Sequence, residues 1–215
     1  MNSKLKSSGQ LFVISAPSGA GKTSLVDALL RTDKNLIASI SHTTRPKREG
    51  EKEGEHYYFC DRAGFIDLQS KSVFLEHATV FGHLYGTSAE TVGAHRSKGL
   101  DVVLEIDWQG ARQVRTNEPS VTSIFVLPPS RSALVERLLY RGKDSSEEIR
   151  RRTNLAVDEI SHYNEFDYVL VNDDFDMALL ELRTIISSVR NGTFFPQSQV
   201  SDLVAKLLSD KTRFE

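Results

Sequence analysis

The sequence predicts an α/β fold in which helices cover both faces of a mostly parallel sheet. Short apolar segments alternate along the chain with segments whose apolar residues recur at helical spacing, which is typical of βαβ units. The first apolar segment also runs directly into a glycine-rich turn and then a helical pattern. The segments predicted to be strands are Leu11–Ser15, Leu36–Ile40, Val73–Val80, Leu100–Asp107, Val121–Leu127 and Tyr168–Val171.

The predicted helices follow from apolar spacing and from capping residues. After the first strand, one helix face is formed by Leu25, Val26, Leu29 and Leu30. A second helix is predicted from Ala89 to Lys98, with Gly99 suited to the left-handed conformation that ends many helices. Ser145 followed three residues later by Glu148 forms a capping-box pattern, which predicts the start of another helix.

Two regions depart from the simple alternation of strands and helices. Residues 41–88 have short strand patterns, turns and one weak helix, which indicates an inserted α+β piece. Residues 130–162 are helical and rich in arginine. Between Arg131 and Arg152 there are seven basic and four acidic residues, a local charge of +3 in a chain whose net charge is −2.

Composition places the chain among ordinary globular proteins and excludes several other classes. Its 215 residues are 39% hydrophobic and 26% charged, as expected for one large domain with inserted pieces. The single cysteine, Cys60, excludes an internal disulfide framework and fits a reducing compartment. The net charge of −2 argues against a bulk nucleic-acid binder. Without a secretory signal or an apolar run near the ~20 residues of a membrane span, we expect a cytoplasmic protein.

The chain after Arg190 is polar at first and then becomes amphipathic. Its apolar residues follow helical spacing at Val200, Leu203, Val204, Leu207 and Leu208. We favour a helix that packs on its own domain. A contact between copies of the chain in a homo-oligomer is the alternative that the sequence leaves open.

A candidate phosphate-binding loop follows the first strand. Its residues, Ala16, Pro17, Ser18, Gly19, Ala20, Gly21, Lys22 and Thr23, nearly match the P-loop pattern GxxxxGK[ST]. The two glycines allow a tight turn that brings backbone N–H groups close to phosphate oxygens, and the following helix directs its positive end at the anion. Lys22 is suited to reach the β- and γ-phosphates, and the Thr23 hydroxyl to hold Mg²⁺.

One residue departs from the P-loop pattern, because Ala16 occupies the position of its first glycine. The lysine and the hydroxyl ligand are unaffected by this change. The rival dinucleotide-binding fingerprint GxGxxG is incomplete, because Ser24 stands at its third glycine position. A zinc site is also unsupported, since the chain has one cysteine and no HExxH spacing.

Further motifs follow the phosphate loop in a characteristic order. They are Ser41–Arg48, Gly54–Phe59, Phe74–His77, Tyr85–Thr87, Ile106–Gly110, Pro128–Ser130, Arg137 with Arg141-Gly142, and Val171–Asp174. Together with the loop, this set resembles the guanylate kinase family over about residues 9–190. Unrelated P-loop proteins do not carry these motifs in this order, so the combination is far more specific than the loop alone.

The resemblance implies an ATP:GMP phosphotransferase that makes ADP and GDP and also uses dGMP. It implies a P-loop NTPase-type sheet with an inserted α+β GMP-binding subdomain and a helical lid. The expected divisions are a core at 9–40, 88–129 and 163–190, the subdomain at about 41–87, the lid at about 130–162, and an extension at 191–215. The expected partners are ATP, GMP and Mg²⁺.

The resemblance places GMP recognition in the inserted subdomain. Ser41, Glu76 and Thr87 match positions that contact the guanine base. The positions that match the GMP phosphate site are Arg45, Arg48, Tyr57 and Tyr85. Considered alone, Arg45 and Arg48 would be interpreted as part of a solvated charged loop, and Glu76 as a solvent-facing strand carboxylate.

Two acidic residues end the predicted strand Leu100–Asp107. Glu105 and Asp107 alternate along it, so both face the same side. The family usually has aspartate at both positions, and Glu105 is a departure with an extra methylene. The resemblance implies that both lie on the GMP side, with Asp107 assisting the Mg²⁺ bound at Thr23 through a water molecule.

The resemblance also assigns groups around ATP. Arg137, Arg141 and Arg152 match lid arginines that neutralise charge on the transferring phosphoryl group beside Lys22. Arg137 and Arg141 are four residues apart and share a helix face. Asn172 resembles a residue near the adenine. For the arginines the alternative is surface residues paired with nearby glutamates, an interpretation that we keep for Arg150 and Arg151.

Three other functions are alternatives to the interpretation as an ATP:GMP phosphotransferase. Another nucleoside monophosphate kinase would have a different acceptor, which the Ser41 and Glu76 pair argues against. A guanylate-kinase-like scaffold that binds proteins typically lacks the phosphate loop, whereas Gly21, Lys22 and Thr23 are intact here. A GTPase switch would need an Asn-Lys-x-Asp string, which the chain does not contain.

Overall fold

The computed structural model describes residues 8–140, 145–196 and 199–209. In chain order it has β1 (Leu11–Ser15), α1 (Lys22–Thr32), β2 (Leu36–Ala38), β3 (His42–Thr43), β4 (Tyr58–Phe59), α2 (Arg62–Ser70), β5 (Phe74–Val80), β6 (His83–Ser88), α3 (Ala89–Ser97), β7 (Asp101–Glu105), α4 (Trp108–Asn117), β8 (Thr122–Leu127), α5 (Arg131–Tyr140), α6 (Ser146–Ser161), β9 (Tyr168–Val171), α7 (Phe175–Arg190) and α8 (Ser201–Ser209). Every predicted strand segment therefore contains a strand.

The strands form two sheets of different character. The order of the five-stranded sheet is β2-β7-β1-β8-β9, and the pairs β2–β7 and β8–β9 are parallel. The predicted mostly parallel sheet is confirmed. A four-stranded sheet has the order β4-β3-β6-β5, with antiparallel pairing of β6 to both β3 and β5. The predicted strand Val73–Val80 belongs to this second sheet as β5.

The described residues divide into two compact units. One contains residues 8–13 and 34–121, and the other contains residues 14–33 and those from 122 onward. No helix among the residues that the structure describes is long and apolar enough to cross a membrane.

In the unit that contains residues 34–121, β5 of the second sheet packs against the helices α2 and α4. The Phe65 ring of α2 stacks on Phe74 of β5 with 4.6 Å between the ring centroids. The helix α4 also packs against β5, where the Asn117 amide donates to the Leu75 carbonyl at 2.8 Å. The α2 and α4 contacts therefore hold β5 in place, and Leu75, Glu76 and Ala78 on this strand are buried.

The chain leaves β7 earlier than the sequence predicts. The strand ends at Glu105, and the Asp107 side chain accepts a hydrogen bond from the Gly110 N–H at 2.9 Å. Asp107 is therefore the N-cap of α4, which requires extended backbone outside the sheet ladder. The strand therefore ends before Asp107, because the Asp107 carboxylate accepts from a helical N–H three residues later.

In the other unit, α5 and α6 share a buried cluster of Leu134, Leu138, Ile149 and Ala156. The Ser145 hydroxyl accepts from the Glu148 N–H at 3.2 Å, so α6 begins at the predicted cap. The helix α8 packs against α6, with Val204 and Leu207 buried. The favoured interpretation of the C-terminal helix, packing on its own domain, is thus confirmed for residues 201–209.

Candidate nucleotide-binding sites

The phosphate loop connects β1 to α1, and its shape depends on two glycines. Gly19 and Gly21 both have φ near +93°, the left-handed region that favours glycine. The Ala20 N–H donates to the Pro17 carbonyl at 3.0 Å, which closes the turn. Gly21 caps α1 without a side-chain hydrogen bond, so no side-chain acceptor from the cap occupies the first N–H groups of the helix. Such a turn suits an anion.

The departure of Ala16 from the P-loop pattern carries no backbone strain. Among the described residues, Ser72 and Phe81 are the non-glycine residues with positive φ, so Ala16 lies outside the left-handed region. Any side chain could adopt the Ala16 backbone conformation, whereas Gly19 and Gly21 could not be replaced without strain.

Neighbouring groups lie against both glycines. A Cβ atom on Gly19 would lie 3.1 Å from the Leu134 carbonyl oxygen and from Cγ of Leu138. A Cβ atom on Gly21 would lie 2.3 Å from Nδ2 of Asn172. The loop therefore needs glycine at these positions for two reasons, backbone conformation and close packing.

Arg137 of α5 lies against the loop backbone. Its Nη1 donates to the Ala20 carbonyl at 3.3 Å, and its Nη2 donates to the Asn172 carbonyl at 2.9 Å. The resemblance implied that Arg137 is a lid arginine, and in the structure its guanidinium ties α5 to the loop and to the end of β9. Arg141, expected on the same helix face, lies outside the described residues.

Arg152 of α6 lies near the opposite part of the loop. Its Nη1 is 3.5 Å from the Ser18 hydroxyl, and its Nε donates to Glu148 at 3.1 Å. The Ser18 N–H donates to Oε2 of Glu159 at 3.2 Å. Sequence reasoning missed Glu159, because nothing in its surroundings along the chain links it to the loop. The predicted surface pairing holds for Arg151, which donates to Glu148.

The structure places the other expected ATP groups on α1 and at the end of β9. Lys22 is half-buried and Thr23 is exposed in the first turn of α1. Asn172 is buried, and its Nδ2 donates to the Ala20 carbonyl at 2.7 Å. The resemblance implied an adenine contact for Asn172, but the contact that the structure gives it is with the loop backbone.

In the unit that contains residues 34–121, the expected guanine contacts lie together. Thr87 pairs with Glu76 across β5 and β6, and its hydroxyl donates to the Glu76 carboxylate at 2.6 Å. The Ser41 hydroxyl lies 3.3 Å from that of Thr87. Glu76 is only 2% exposed, so the interpretation of a solvent-facing carboxylate is wrong.

The burial of Glu76 changes its ionisation. Desolvation raises the pKa of this carboxyl, the hydrogen bonds from Thr87 lower it and the negative charge of Asp107 raises it, so that the net pKa is about 7. Carboxyl groups with strongly raised pKa values are frequent in functional sites. A buried carboxylate also needs hydrogen-bond donors to satisfy its oxygens.

Gly110 makes room for this carboxylate, and sequence reasoning assigned it no role. A Cβ atom on Gly110 would lie 2.6 Å from Oε2 of Glu76. Asp107 holds Gly110 in place through the α4 cap, and its second oxygen accepts from Gln109 at 3.0 Å. The spacing of Asp107 and Gly110 before a helix is a capping signal, but it does not reveal that Glu76 packs there.

A second group of residues in this unit surrounds the buried Arg45 with tyrosine rings. Arg45 is 9% exposed, with its guanidinium 5.3 Å from the centre of the Tyr57 ring. The Tyr57 and Tyr85 rings meet edge to face at 5.9 Å. Burial raises the pKa of the Tyr57 hydroxyl, and the negative charge of Glu105 adds to this effect. Glu105 itself is half-buried at the end of β7.

Glu51 holds the Arg45 guanidinium in place. Its carboxylate accepts from Arg45 Nη2 at 2.6 Å and from the Arg48 N–H at 2.8 Å. Burial raises the pKa of Glu51, but these hydrogen bonds outweigh that effect and the net shift is downward. The solvated-loop interpretation is therefore wrong for Arg45, while Arg48 is exposed.

The described residues contain no group of three or more His, Cys, Asp or Glu side chains that could hold a metal ion. Mg²⁺ is commonly bound by one or two protein oxygens together with substrate phosphates. The exposed Thr23 hydroxyl at the start of α1 fits that arrangement.

The loop between a buried strand and a helix N-terminus, on a mostly parallel sheet, defines a P-loop nucleotide-binding protein. The family model for guanylate kinase matches residues 8–189. The chain therefore belongs to the guanylate kinase family.

Named relatives agree over most of the chain. A guanylate kinase from Alkalilimnicola ehrlichii is 56% identical over 85% of this chain and 90% of its own length. One from Escherichia coli strain K12 is 50% identical over 94% of this chain and 99% of its own. The crystal structure of guanylate kinase from Anaplasma phagocytophilum has a TM-score of 0.70 and 34% identity, covering 96% of this chain and 99% of that chain.

The buried charge of Glu76 generates a stability prediction. With a folded pKa of about 7 against 4.5 for the free carboxyl, the protein loses stability as pH rises from 4.5 to 7. Glu76→Gln removes the charge and keeps an acceptor for Thr87. We expect it to be more stable than wild type by about 3 kcal/mol near pH 8 and equally stable near pH 4.

Urea unfolding at both pH values measures this difference. Glu55→Gln is the control, because its carboxylate is exposed and should change stability little at either pH. A pH-independent effect of Glu76→Gln would contradict the buried-charge explanation.

Proposed function

We propose that this chain transfers the γ-phosphoryl group of ATP to GMP, producing ADP and GDP, and that it also accepts dGMP. The observation that carries the acceptor assignment is the buried carboxylate of Glu76 with the Thr87 and Ser41 hydroxyls beside it. Family membership and the phosphate loop support the rest.

Guanine is the base that such a group recognises. Its N1–H and 2-amino groups are adjacent donors that an ionised Glu76 can accept together, while the hydroxyls of Ser41 and Thr87 contact the base from the side. Adenine lacks the 2-amino group and would leave a buried carboxylate oxygen unpaired. Sites of this kind discriminate strongly, because unpaired buried polar groups are costly.

The group of residues around Arg45 is proposed to bind the GMP phosphate. A phosphate offers the same kind of oxygen acceptors that Glu51 now provides to Arg45 and to the Arg48 backbone. The Tyr57 and Tyr85 hydroxyls add neutral donors, and the Arg48 side chain is exposed and long enough to add a second cation. We keep Glu105 and Asp107 as proposed contacts on the GMP side.

The chemical problem of this reaction is repulsion between charged phosphates. The acceptor is a phosphate oxygen that is already ionised at neutral pH, so no general base is needed. Catalysis then depends on positioning and on positive charge, which we assign to Lys22, Arg137, Arg141 and Arg152 around the donor triphosphate. The loop residues from Ala16 to Thr23 bind that triphosphate mainly through backbone N–H groups.

Mg²⁺ is the proposed cofactor and enters with ATP. Thr23 would hold it, with Asp107 proposed to assist through water. When bound, the ion neutralises charge on the β- and γ-phosphates. We also propose that the chain acts in the cytoplasm and on free nucleotides rather than on nucleic acid. Residues 9–190 are proposed as the kinase domain, with a core at 9–40, 88–129 and 163–190, a GMP-binding subdomain at about 41–87 and a lid at about 130–162.

The first test is ADP formation from Mg·ATP with GMP, AMP, CMP, UMP or dTMP offered separately, plus a reaction without acceptor. We expect turnover with GMP and little with the other acceptors. Preference for another nucleotide would contradict the Ser41 and Glu76 assignment. If no acceptor supported turnover, the protein-binding scaffold would become the better explanation.

The phosphate-loop assignment predicts the effect of Lys22→Ala. Turnover should fall by about 10²-fold or more, because a cation aimed at the transferring group is lost. GMP affinity, measured by titration without ATP, should be retained, since other residues are proposed to bind GMP. Lys34→Ala, which removes an exposed lysine, is the matched control. Normal turnover in Lys22→Ala would show that the loop assignment is wrong.

The close approach of Gly110 to Glu76 predicts a specificity variant. In Gly110→Ala the new methyl group displaces the carboxylate, and we expect the KM for GMP to rise by about tenfold or more. The KM for ATP should stay within about twofold of wild type. Gly93→Ala is the control, because it also lies in a helix but has nothing within 4 Å of the added Cβ. An unchanged KM for GMP would remove Gly110 and Glu76 from the base site.

A further inference from the structure

Asn172 stands directly after β9, at the point where the chain passes the phosphate loop. Its side chain is 3% exposed, and its backbone N–H donates to the Leu127 carbonyl at 2.9 Å. The residue is therefore anchored to the end of the sheet by its backbone and buried by its surroundings. Its side-chain amide has little freedom to reorient.

The Asn172 amide points its donor at one loop peptide. Nδ2 lies 2.7 Å from the Ala20 carbonyl oxygen, and this oxygen requires a donor facing it, so the amide orientation follows from chemistry. Arg137 donates to the same oxygen at 3.3 Å and to the Asn172 carbonyl at 2.9 Å. Three segments, the loop, the end of β9 and α5, are thus joined by hydrogen bonds around the Ala20 carbonyl.

The orientation of this carbonyl determines the direction of the next N–H. The peptide between Ala20 and Gly21 is planar and trans, so its C=O and N–H bonds point in opposite directions. Holding the Ala20 oxygen toward Asn172 and Arg137 therefore turns the Gly21 N–H to the other side of the loop. Backbone N–H groups on that side are what a phosphate loop presents to its anion.

The same contact requires the absence of a side chain at Gly21. A Cβ atom there would lie 2.3 Å from Nδ2 of Asn172. With φ of +93°, Gly21 could in principle reach several backbone conformations, because glycine restricts them least. The hydrogen bond from Asn172 selects one of them.

We infer that Asn172 is a positioning residue for the phosphate loop, and that it orients the Ala20–Gly21 peptide so that the Gly21 N–H faces the donor triphosphate. The inference rests on the proposed kinase function. It differs from an adenine contact, because a residue that orients the loop affects any triphosphate equally, whatever its base.

The alternative role of Asn172, an adenine contact, would use the oxygen of the same side-chain amide. Oδ1 of Asn172 is buried and has no hydrogen-bond partner among the described residues. It could accept from the 6-amino group of a bound adenine. A donor that lacks this amino group separates the two roles.

The experiment compares Asn172→Ala with wild type in the full chain, using ATP and then inosine triphosphate as the phosphoryl donor. Inosine triphosphate carries an oxygen in place of the 6-amino group. We expect kcat/KM to fall by about tenfold or more with both donors and by the same factor, because a buried hydrogen bond of the loop is lost. The KM for GMP should be unchanged. Binding of inorganic triphosphate, measured by calorimetry, should weaken to a similar degree.

Two controls make the outcome specific. Asp173→Ala alters the exposed neighbour and should leave both donors unaffected. Asn172→Asp keeps the shape of the side chain but turns an acceptor toward the Ala20 carbonyl, so it should be at least as damaging as Asn172→Ala. If Asn172→Ala does not fold, the Asp variant carries the same comparison of donors.

Several results would overturn the inference. A loss with ATP but not with inosine triphosphate would assign Asn172 to the adenine. Full activity of Asn172→Asp, or unchanged binding of inorganic triphosphate, would show that the amide does not orient the loop. Failure of the proposed kinase function would appear separately, as absence of wild-type turnover with ATP and GMP.

Discussion

The backbone conformation of the phosphate loop is the constraint on which the packing of α5 and Asn172 around it depends. Gly19 and Gly21 both lie in the left-handed region, and a side chain at either position would meet protein atoms as well as strain the backbone. The space that a Cβ would occupy is used by α5 on one side and by Asn172 on the other. The loop must present its N–H groups to an anion, and packing and hydrogen bonds from α5 and Asn172 hold its backbone in the conformation that does so.

A second constraint lies in the burial of a carboxylate. Glu76 sits beneath α4, in space that Gly110 leaves open, and the hydroxyl of Thr87 satisfies only part of it. A raised pKa means that ionisation of this carboxyl works against the stability of the fold at neutral pH. Under the proposed function the donors of guanine supply the missing partners, so recognition and stability are opposed at the same residue.

Charged residues near the sites have partners that local patterns do not reveal. Arg45 is 6 residues from Glu51, but its burial beneath Tyr57 results from tertiary packing. Arg137 and Arg152 were both expected in a lid, and the structure gives each of them a contact with the loop. Glu159, which accepts from the Ser18 N–H 141 residues earlier in the chain, had no signal in the sequence at all.

The sequence by itself determined the kinds of elements, the phosphate loop and the family. Strand and helix periodicity, the Ser145 cap and the glycines of the loop depend on interactions within a few residues, which a sequence displays directly. The register of β5 and β6, which brings Glu76 opposite Thr87, and the contact of Asn172 with the Ala20 carbonyl were decided only by the tertiary structure. Asn172 and Ala20 are 152 residues apart in the chain, and the pairing of Glu76 with Thr87, although they are only 11 residues apart, depends on the strand register. Which of many compatible partners a buried group meets depends on how whole elements pack and pair.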